Sequence, residues 1–204
     1  MIKFYRFPLS GHSHRVELML NLLGVAYEGI DVDLAGGEHK KEAFLNINPF
    51  GVIPAIDDNG FVLADSNAII LYLVKKYGDA SWLPNDAETA ANIQRWLTVS
   101  SSEIARGPAA ARLVNVFGAG LDHADALKRA EAVLTVMDAH LGKQAFLAAD
   151  SITIADISAY SYVAHAPEGD VPLNLYPNVQ AWLARIEAQD GFVPMPKTAV
   201  GLAA

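Results

Sequence analysis

The sequence predicts an α/β amino-terminal domain followed by an all-α domain built as a helical bundle. Strand-like and helix-like patterns alternate up to about residue 80, whereas from Glu88 onward the strand patterns vanish and helical periods take over. Between the two regions, a short stretch containing Trp82 and Pro84 is typical of a linker. We therefore expect one domain at residues 1–80, a linker at 81–87 and an all-helical domain at 88–204.

The chain opens with a strand–helix–strand pattern. Apolar and basic residues alternate over residues 2–7 with the period of a strand, and Pro8 ends that strand. A mostly apolar helix runs from Ser13 until Gly24 provides a left-handed stop, and residues 25–34 alternate again as a second strand. A crossover of this length makes the two strands parallel neighbours.

The third strand begins at a proline. Pro54 has no backbone N–H and stands directly before Ala55 and Ile56, which leaves the main chain of Ile53 without a ladder partner. That backbone could pair with a peptide-like ligand. The alternative is an ordinary proline between a loop and a strand, since only about 5–6% of X–Pro bonds in folded proteins are cis.

A hairpin and a capped helix complete the first domain. Residues 38–45 are polar and predict a loop with a brief helix. The Asp-Asn-Gly sequence at 58–60 is a strong hairpin turn, so residues 61–63 return antiparallel. Asp65 and Ser66 then supply capping side chains for a helix. The order βαβ-αββα, with a proline at the third strand, predicts a thioredoxin-like domain.

Helical periods fill the second domain. Thr153 and Asp156 have the spacing of a helix N-cap and its N3 partner, which is a helix-start signature. We therefore assign the Asp156 carboxylate to a structural cap rather than to catalysis. Gly107-Pro108 is expected to break or kink the first long helix. The predicted helices cover residues 90–105, 109–117, 121–141 and 176–187.

Composition narrows the function classes. A formal net charge of −8, a pI near 5.1 and the lack of a Lys/Arg run argue against nucleic acid or an anionic membrane as a partner. The absence of cysteine excludes disulfides, zinc–thiolate sites and a cysteine nucleophile, so any thiol must come from a ligand. No stretch approaches the ~18 apolar residues of a membrane span, and we expect a soluble cytoplasmic protein without a bound metal.

Four short motifs resemble one family. They are residues 37–42 (Gly-Glu-His-Lys-Lys-Glu), 48–51 (Asn-Pro-Phe-Gly), 65–69 (Asp-Ser-Asn-Ala-Ile) and the serine loop at 7–10 (Phe-Pro-Leu-Ser) before Arg15. In this order they are similar to the phi class of the cytosolic glutathione transferase superfamily and its bacterial relatives, over nearly the whole chain. The resemblance implies a homodimeric detoxification enzyme that conjugates the glutathione thiolate to small hydrophobic electrophiles.

The resemblance also implies how one end and the middle of glutathione are held. Asp65 would bind the α-amine of the γ-glutamyl group, and Ser66 its α-carboxylate with help from the helix dipole. The backbone of Ile53, before a cis bond to Pro54, would pair with the cysteinyl residue like an added strand. From the residues alone, Asp65 and Ser66 could equally be a helix cap with an acidic neighbour.

By the same resemblance, the other end of glutathione would lie near a polar loop. His39 and Lys40 would be cations near the glycine carboxylate, with solvent exposure as the alternative. The phi pattern usually has glutamine where Val52 stands and glutamate where Asp65 stands, so glutathione binding could be weaker in this chain. The implied glutathione-binding residues are His39, Lys40, Val52, Ile53, Pro54, Asp65 and Ser66.

Ser10 is the catalytic candidate. In the family this serine donates a hydrogen bond to the glutathione thiolate, and no His/Asp arrangement in the sequence suggests a hydrolase triad. The alternative for Ser10 is the N-cap of the first helix, a role that Ser13 could fill equally well. We expect His12 to be an exposed loop residue rather than a proton shuttle, and Arg15 to support the domain interface.

The residues leave the second substrate and the reaction open. A glutathione-dependent peroxidase or isomerase on the same site is one alternative, and a catalytically silent binding or regulatory module is another. An apolar patch with Ile69, Tyr72 and Val74 is expected to support the homodimer. By resemblance, the candidate residues of the electrophile site are Leu9, Arg106, Ala109, Arg112, Phe117 and Tyr160.

Overall fold

The computed structural model describes residues 1–200, which form two compact units. Unit 1 comprises Met1–Asp79 and Asp190–Met195, and unit 2 comprises Ala80–Gln189 and the described residues from Pro196 onward. The sequence predicted a single boundary and not this return of the chain, which the ring of His14 fixes by donating to the carbonyl of Val193 at 2.9 Å. Residues 201–204 of the predicted second domain lie outside the described residues.

Unit 1 holds a four-stranded mixed sheet. Its elements are β1 (Ile2–Arg6), α1 (Gly11–Leu22), β2 (Tyr27–Asp31), a 3₁₀ turn (Glu38–Lys40), α2 (Glu42–Leu45), β3 (Ala55–Asp58), β4 (Phe61–Ala64) and α3 (Ser66–Tyr77). The strand order is β2-β1-β3-β4. Strand β1 pairs parallel with β2 and antiparallel with β3, and β4 pairs antiparallel with β3. This confirms the thioredoxin-like topology.

The hairpin between β3 and β4 is anchored to α3. Asn59 and Gly60 have φ angles of 54° and 92°, as the predicted two-residue turn requires. The buried carboxylate of Asp58 accepts hydrogen bonds from Lys76 Nζ at 2.6 Å, Tyr72 at 2.8 Å and Tyr77 at 2.5 Å. Burial alone would raise the pKa of Asp58, but these donors lower it to about 2. The cluster therefore fixes α3 against the sheet.

The surface of unit 1 differs from the predicted apolar patch. Ile69 and Val74 are buried, because that face of α3 packs into unit 1, so the prediction that they form an exposed patch was wrong. The exposed large hydrophobic residues of β4 and α3 are Phe61, Val62, Leu71 and Tyr77 instead. Within residues 1–200, no helix combines the length and the apolar character needed to cross a membrane. In the same residues, no group of three or more His, Asp or Glu side chains is placed to hold a metal ion.

Every regular element in the described part of unit 2 is helical, as predicted. The chain stays helical through Pro108, so of the predicted break or kink the break does not occur, and the helix widens there instead. A π-helix has a wider turn and an i→i+5 hydrogen bond, which accommodates the proline ring and its missing N–H. The elements are α4 (Ala87–Val99), the π-helical segment (Ser100–Ala109), α5 (Ala110–Phe117), α6 (His123–Leu141), α7 (Ile154–Ala164), a 3₁₀ turn (Ala166–Gly169) and α8 (Pro177–Glu187).

The start of α7 holds a cluster of buried hydrogen bonds in unit 2. Thr153 and Asp156 form the predicted capping box. Asp156 Oδ2 accepts from the backbone and hydroxyl of Thr153 at 2.9 and 3.1 Å, and Oδ1 accepts from Leu147 N and Trp182 Nε1, both at 2.9 Å. The Asp156 side chain is fully buried and all its contacts are structural, which confirms its assignment as a cap.

Candidate functional site

The start of α3 carries a carboxylate that is only half used. Asp65 is the N-cap residue, and its Oδ1 accepts from the backbone N–H groups of Asn67 and Ala68, each at 2.9 Å. Its φ angle is 73°, which few residues other than glycine adopt and Asp tolerates better than most. Asp65 is exposed, and its Oδ2 has no hydrogen-bond partner among the described residues. The cap and an open carboxylate oxygen therefore coexist in one side chain.

Ser66, the first residue of α3, is held by a buried arginine. Arg15 of α1 donates from Nη1 to Ser66 Oγ at 2.7 Å and to Asn67 Oδ1 at 2.9 Å. Arg15 was expected at the domain interface, but these bonds link α1 to α3 inside unit 1. The arginine thus sets the position of a hydroxyl at a helix amino terminus, where the dipole favours an anion.

His12 lies in the same cluster, contrary to the prediction of an exposed loop residue. It belongs to α1, one turn before Arg15, and its Nδ1 is 3.3 Å from Ser66 Oγ. Burial lowers the pKa of His12 to about 3, with a further contribution from the Arg15 guanidinium. The imidazole is therefore neutral at physiological pH. Its i, i+3 spacing from Arg15 was the only sequence signal for this placement.

The segment before β3 also lines the site. The Ile53–Pro54 bond is cis, as predicted. The sheet pairing begins at Ala55, and the backbone of Ile53 makes no hydrogen bond within the described residues. The buried side chain of Asn48, which the sequence reasoning overlooked, fixes this segment by donating to the carbonyl of Val52 at 2.7 Å. A backbone donor and acceptor of Ile53 are thus left for a ligand.

These groups line one cavity of about 260 Å³ in unit 1. The structure therefore brings together five predicted binding residues and one residue that was not predicted to bind. An acid, a hydroxyl at a helix start and an unpaired strand-like backbone suit a small peptide-like ligand with an ammonium and a carboxylate at one end. The lining residues are His12, Val52, Ile53, Pro54, Asp65 and Ser66.

His39 and Lys40 do not line this cavity. They lie in the 3₁₀ turn, and Lys40 Nζ donates to the carbonyl of Gly51 at 2.7 Å. Gly51 has a φ of 58°, and a Cβ there would meet the carbonyl oxygen of His39 at 2.9 Å, so glycine permits this approach. The Lys40 ammonium and the backbone of His39 therefore lie next to Gly51, the residue that precedes Val52.

Ser10 is the N-cap of α1, the alternative role considered for it. Its Oγ accepts from the backbone N–H of Ser13 at 3.3 Å, while Ser13 Oγ accepts from the N–H of Phe7 at 3.2 Å. Among the described residues the Ser10 hydroxyl hydrogen has no acceptor. Ser10 does not line the cavity and stands two residues before His12, which does. The cap role leaves the O–H donor unused.

The candidate electrophile residues are divided between the two units. Leu9 is partly exposed in unit 1. In unit 2, Arg106 and Phe117 are exposed, whereas Ala109 is buried.

Arg112 and Tyr160 each have a structural partner inside unit 2. The buried guanidinium of Arg112 pairs with Glu168, which also accepts from the N–H of Thr198 at 2.9 Å. Tyr160 is buried and donates to Glu187 at 2.9 Å, and its burial together with that carboxylate raises the pKa of Tyr160. Buried polar groups are normally hydrogen-bonded, and here carboxylates of unit 2 bind the Arg112 guanidinium and the Tyr160 hydroxyl.

Comparisons with known proteins agree with this architecture. The chain matches two family models: glutathione S-transferase, N-terminal domain, over residues 9–76, and glutathione S-transferase, C-terminal domain, over residues 122–190. Glutathione S-transferase 3 of Zea mays is 35% identical to this chain, and the match covers 96% of this chain and 96% of the relative.

Solved structures give the same result. A glutathione S-transferase from Pseudomonas fluorescens has a TM-score of 0.90 at 33% identity, covering 96% of this chain and 99% of that one. A delta-class glutathione transferase from Nilaparvata lugens has a TM-score of 0.86 at 31% identity, covering 94% and 91%. Fold and site define a thioredoxin-like unit that contains a polar cavity, followed in the chain by a helical unit. The chain belongs to the glutathione S-transferase family.

Proposed function

We propose that this protein is a glutathione transferase, an enzyme that conjugates the thiolate of glutathione to small apolar electrophiles. The observation that carries the proposal is the cavity of unit 1, which is lined by Asp65, Ser66 and the unpaired backbone of Ile53. The whole-chain similarity to proteins named glutathione S-transferase supports it. The chain has no cysteine, so the reacting thiol belongs to the ligand.

Each part of glutathione has a matching group. The ammonium of the γ-glutamyl end pairs with Asp65 Oδ2, and its carboxylate lies at Ser66 and the amino terminus of α3. The cysteinyl backbone pairs with Ile53. The glycine carboxylate lies toward Lys40, whose ammonium has three donors and uses one on Gly51.

Ser10 supplies the chemistry in this proposal. A thiol with a pKa near 8.5 is only about 3% ionised at neutral pH, and the thiolate is the nucleophile. Lowering that pKa by about two units requires about 2.7 kcal/mol of preferential stabilisation of the anion. The unused O–H of Ser10 and the amino-terminal dipole of α1 supply it together.

The finer assignments are part of the proposal. We place the protein in a phi-like class, in the cytoplasm and as a homodimer. The exposed side chains of Phe61, Val62 and Leu71 give unit 1 apolar surface for a second copy. Sedimentation velocity over a range of concentrations should give a dimer, and a monomer at every concentration would contradict this assignment.

The γ-glutamyl assignment is tested by Asp65→Asn. Asparagine is also a good N-cap and tolerates a positive φ, so the variant keeps the start of α3 and removes only the charge. The lost charge-assisted contact is worth roughly 1.5–3 kcal/mol, which lowers glutathione affinity about tenfold or more. Titration calorimetry of the parent and the variant measures this difference.

The matched control is Asp122→Asn. Asp122 is the N-cap of α6 in unit 2 and accepts from the N–H of Asp125 at 3.0 Å, so the same exchange occurs at an N-cap to which no ligand contact is assigned. Its affinity for glutathione should equal that of the parent. If Asp65→Asn also binds like the parent, the γ-glutamyl assignment is wrong.

A panel of electrophiles and hydroperoxides, assayed with glutathione, identifies the reaction. Glutathione binding without turnover of any of them would favour a silent module.

A further inference from the structure

His12 lies in the wall of the cavity and has no part in the proposed reaction so far. Its Nδ1 is 3.3 Å from Ser66 Oγ, and Arg15 Nη1 reaches the same oxygen at 2.7 Å. A guanidinium has only donors, so Ser66 Oγ must accept from Arg15. One lone pair and one hydrogen of the Ser66 hydroxyl remain to be placed.

The proton on His12 decides where that hydrogen goes. A neutral imidazole carries one hydrogen, on either Nδ1 or Nε2. With the hydrogen on Nε2, Ser66 donates to Nδ1 and has no donor left for a ligand. With the hydrogen on Nδ1, His12 donates to Ser66, both lone pairs of the hydroxyl are filled, and its O–H can only be donated to a further acceptor. A carboxylate at the start of α3 favours this second arrangement.

We propose that His12 is a positioning residue which, together with Arg15, makes the Ser66 hydroxyl a dedicated donor to the carboxylate of the ligand. The inference rests on the proposed function, in which that group is the α-carboxylate of glutathione. The charged groups facing His12 are Arg15, which lowers its pKa, and Asp65, which raises it, and burial dominates both. With a pKa of about 3, His12 stays neutral and changes tautomer without gaining a proton.

The test compares glutathione with 4-aminobutyryl-cysteinyl-glycine, which lacks the α-carboxylate. His12→Leu removes the imidazole nitrogens and should weaken glutathione binding about five- to tenfold in calorimetry, the range of one hydrogen bond to a charged group. The analogue should bind His12→Leu as well as it binds the parent. His12→Asn puts an amide N–H near the place of Nδ1 and should recover most of the lost affinity. The ratio of parent to His12→Leu affinity should stay constant between about pH 5.5 and pH 8, because His12 does not titrate there.

A double-mutant cycle with Ser66→Ala separates positioning from packing. In the Ser66→Ala background, His12→Leu should cause no further loss of glutathione affinity. Additive losses, equal weakening of both ligands, or a His12→Asn variant as weak as His12→Leu would each overturn the positioning role. Glutathione binding by the parent with no loss in His12→Leu would overturn this inference alone, whereas a parent that does not bind glutathione would overturn the proposed function as well. Thermal melts of each variant establish that the compared proteins are folded.

Discussion

Two helix starts in this molecule use an aspartate in opposite ways. At α7, both oxygens of Asp156 are occupied by four donors and the side chain is fully buried. At α3, Asp65 uses one oxygen for two backbone N–H groups and leaves the other open beside a cavity. Both read as caps in the sequence. The number of satisfied oxygens and their exposure, rather than the residue type, separates a structural carboxylate from one that can bind a ligand.

The largest expected effect tests the structural side of this comparison. Asp156→Ala leaves buried donors of Leu147, Thr153 and Trp182 without an acceptor, and should lower the free energy of unfolding by about 3–5 kcal/mol. Urea denaturation measures the loss. Asp122→Ala removes an exposed cap instead and should cost only about 0.5–2 kcal/mol. Equal losses of unfolding free energy in the two variants would show that the four hydrogen bonds to Asp156 stabilise the protein no more than an exposed helix cap does.

The next effect concerns a third helix start, that of α1. Ser10→Ala should keep glutathione affinity, because the ends of the tripeptide are held elsewhere. The pH at half-maximal conjugation should rise by about one to two units, since the thiolate loses a hydrogen-bond donor. The difference in rate should therefore shrink at alkaline pH. Parallel pH–rate profiles of the parent and the variant provide the measurement.

Ser13→Ala is the control for that experiment. It removes a hydroxyl of the same turn that accepts from Phe7 N at 3.2 Å, so each serine variant loses one local hydrogen bond near the start of α1. Only Ser10→Ala should shift the pH profile. Coincident profiles for the parent and Ser10→Ala would rule out the thiolate role of Ser10.

The smallest expected effect concerns Val52, which lines the same cavity as Asp65. Val52 is half exposed and lines the cavity without a polar group. Val52→Gln adds an amide there and should raise glutathione affinity about two- to tenfold, the worth of one neutral hydrogen bond. Val136→Gln, at an exposed valine of α6 in unit 2, should leave the affinity unchanged. If Val52→Gln gives no gain in affinity, the side chain at position 52 does not contact the ligand.

Local patterns predicted most of the elements, and the family resemblance implied much of the site. The turn at residues 58–60 and the caps at Asp65 and Thr153 depend on neighbours in the sequence, whereas the cis bond before Pro54 was implied by the resemblance, and all appear in the structure. The pattern could not show that the Asp65 cap leaves an oxygen unused, since that depends on the three-dimensional surroundings.

The features that the sequence did not predict have a common physical cause. The contact between His12 and Ser66 joins residues 54 positions apart on two helices, and no local periodicity encodes it. The burial of Ile69 and Val74 depends on which face of α3 meets the rest of unit 1. The engagement of Arg112 and Tyr160 depends on carboxylates far along the chain. Long-range packing decides these features, so a single sequence left them open.

The bond from Trp182 to Asp156 also gives the molecule a built-in optical probe. All three tryptophans of the chain, Trp82, Trp96 and Trp182, belong to unit 2, so selective excitation of indole reports on that unit alone. The indole of Trp182 is fully shielded from water and donates to a buried carboxylate, so opening of the α7 start exposes it and shifts its emission to the red. Circular dichroism sees the helices of both units. The separation between the two unfolding curves therefore measures directly whether the two units lose their structure in one cooperative step.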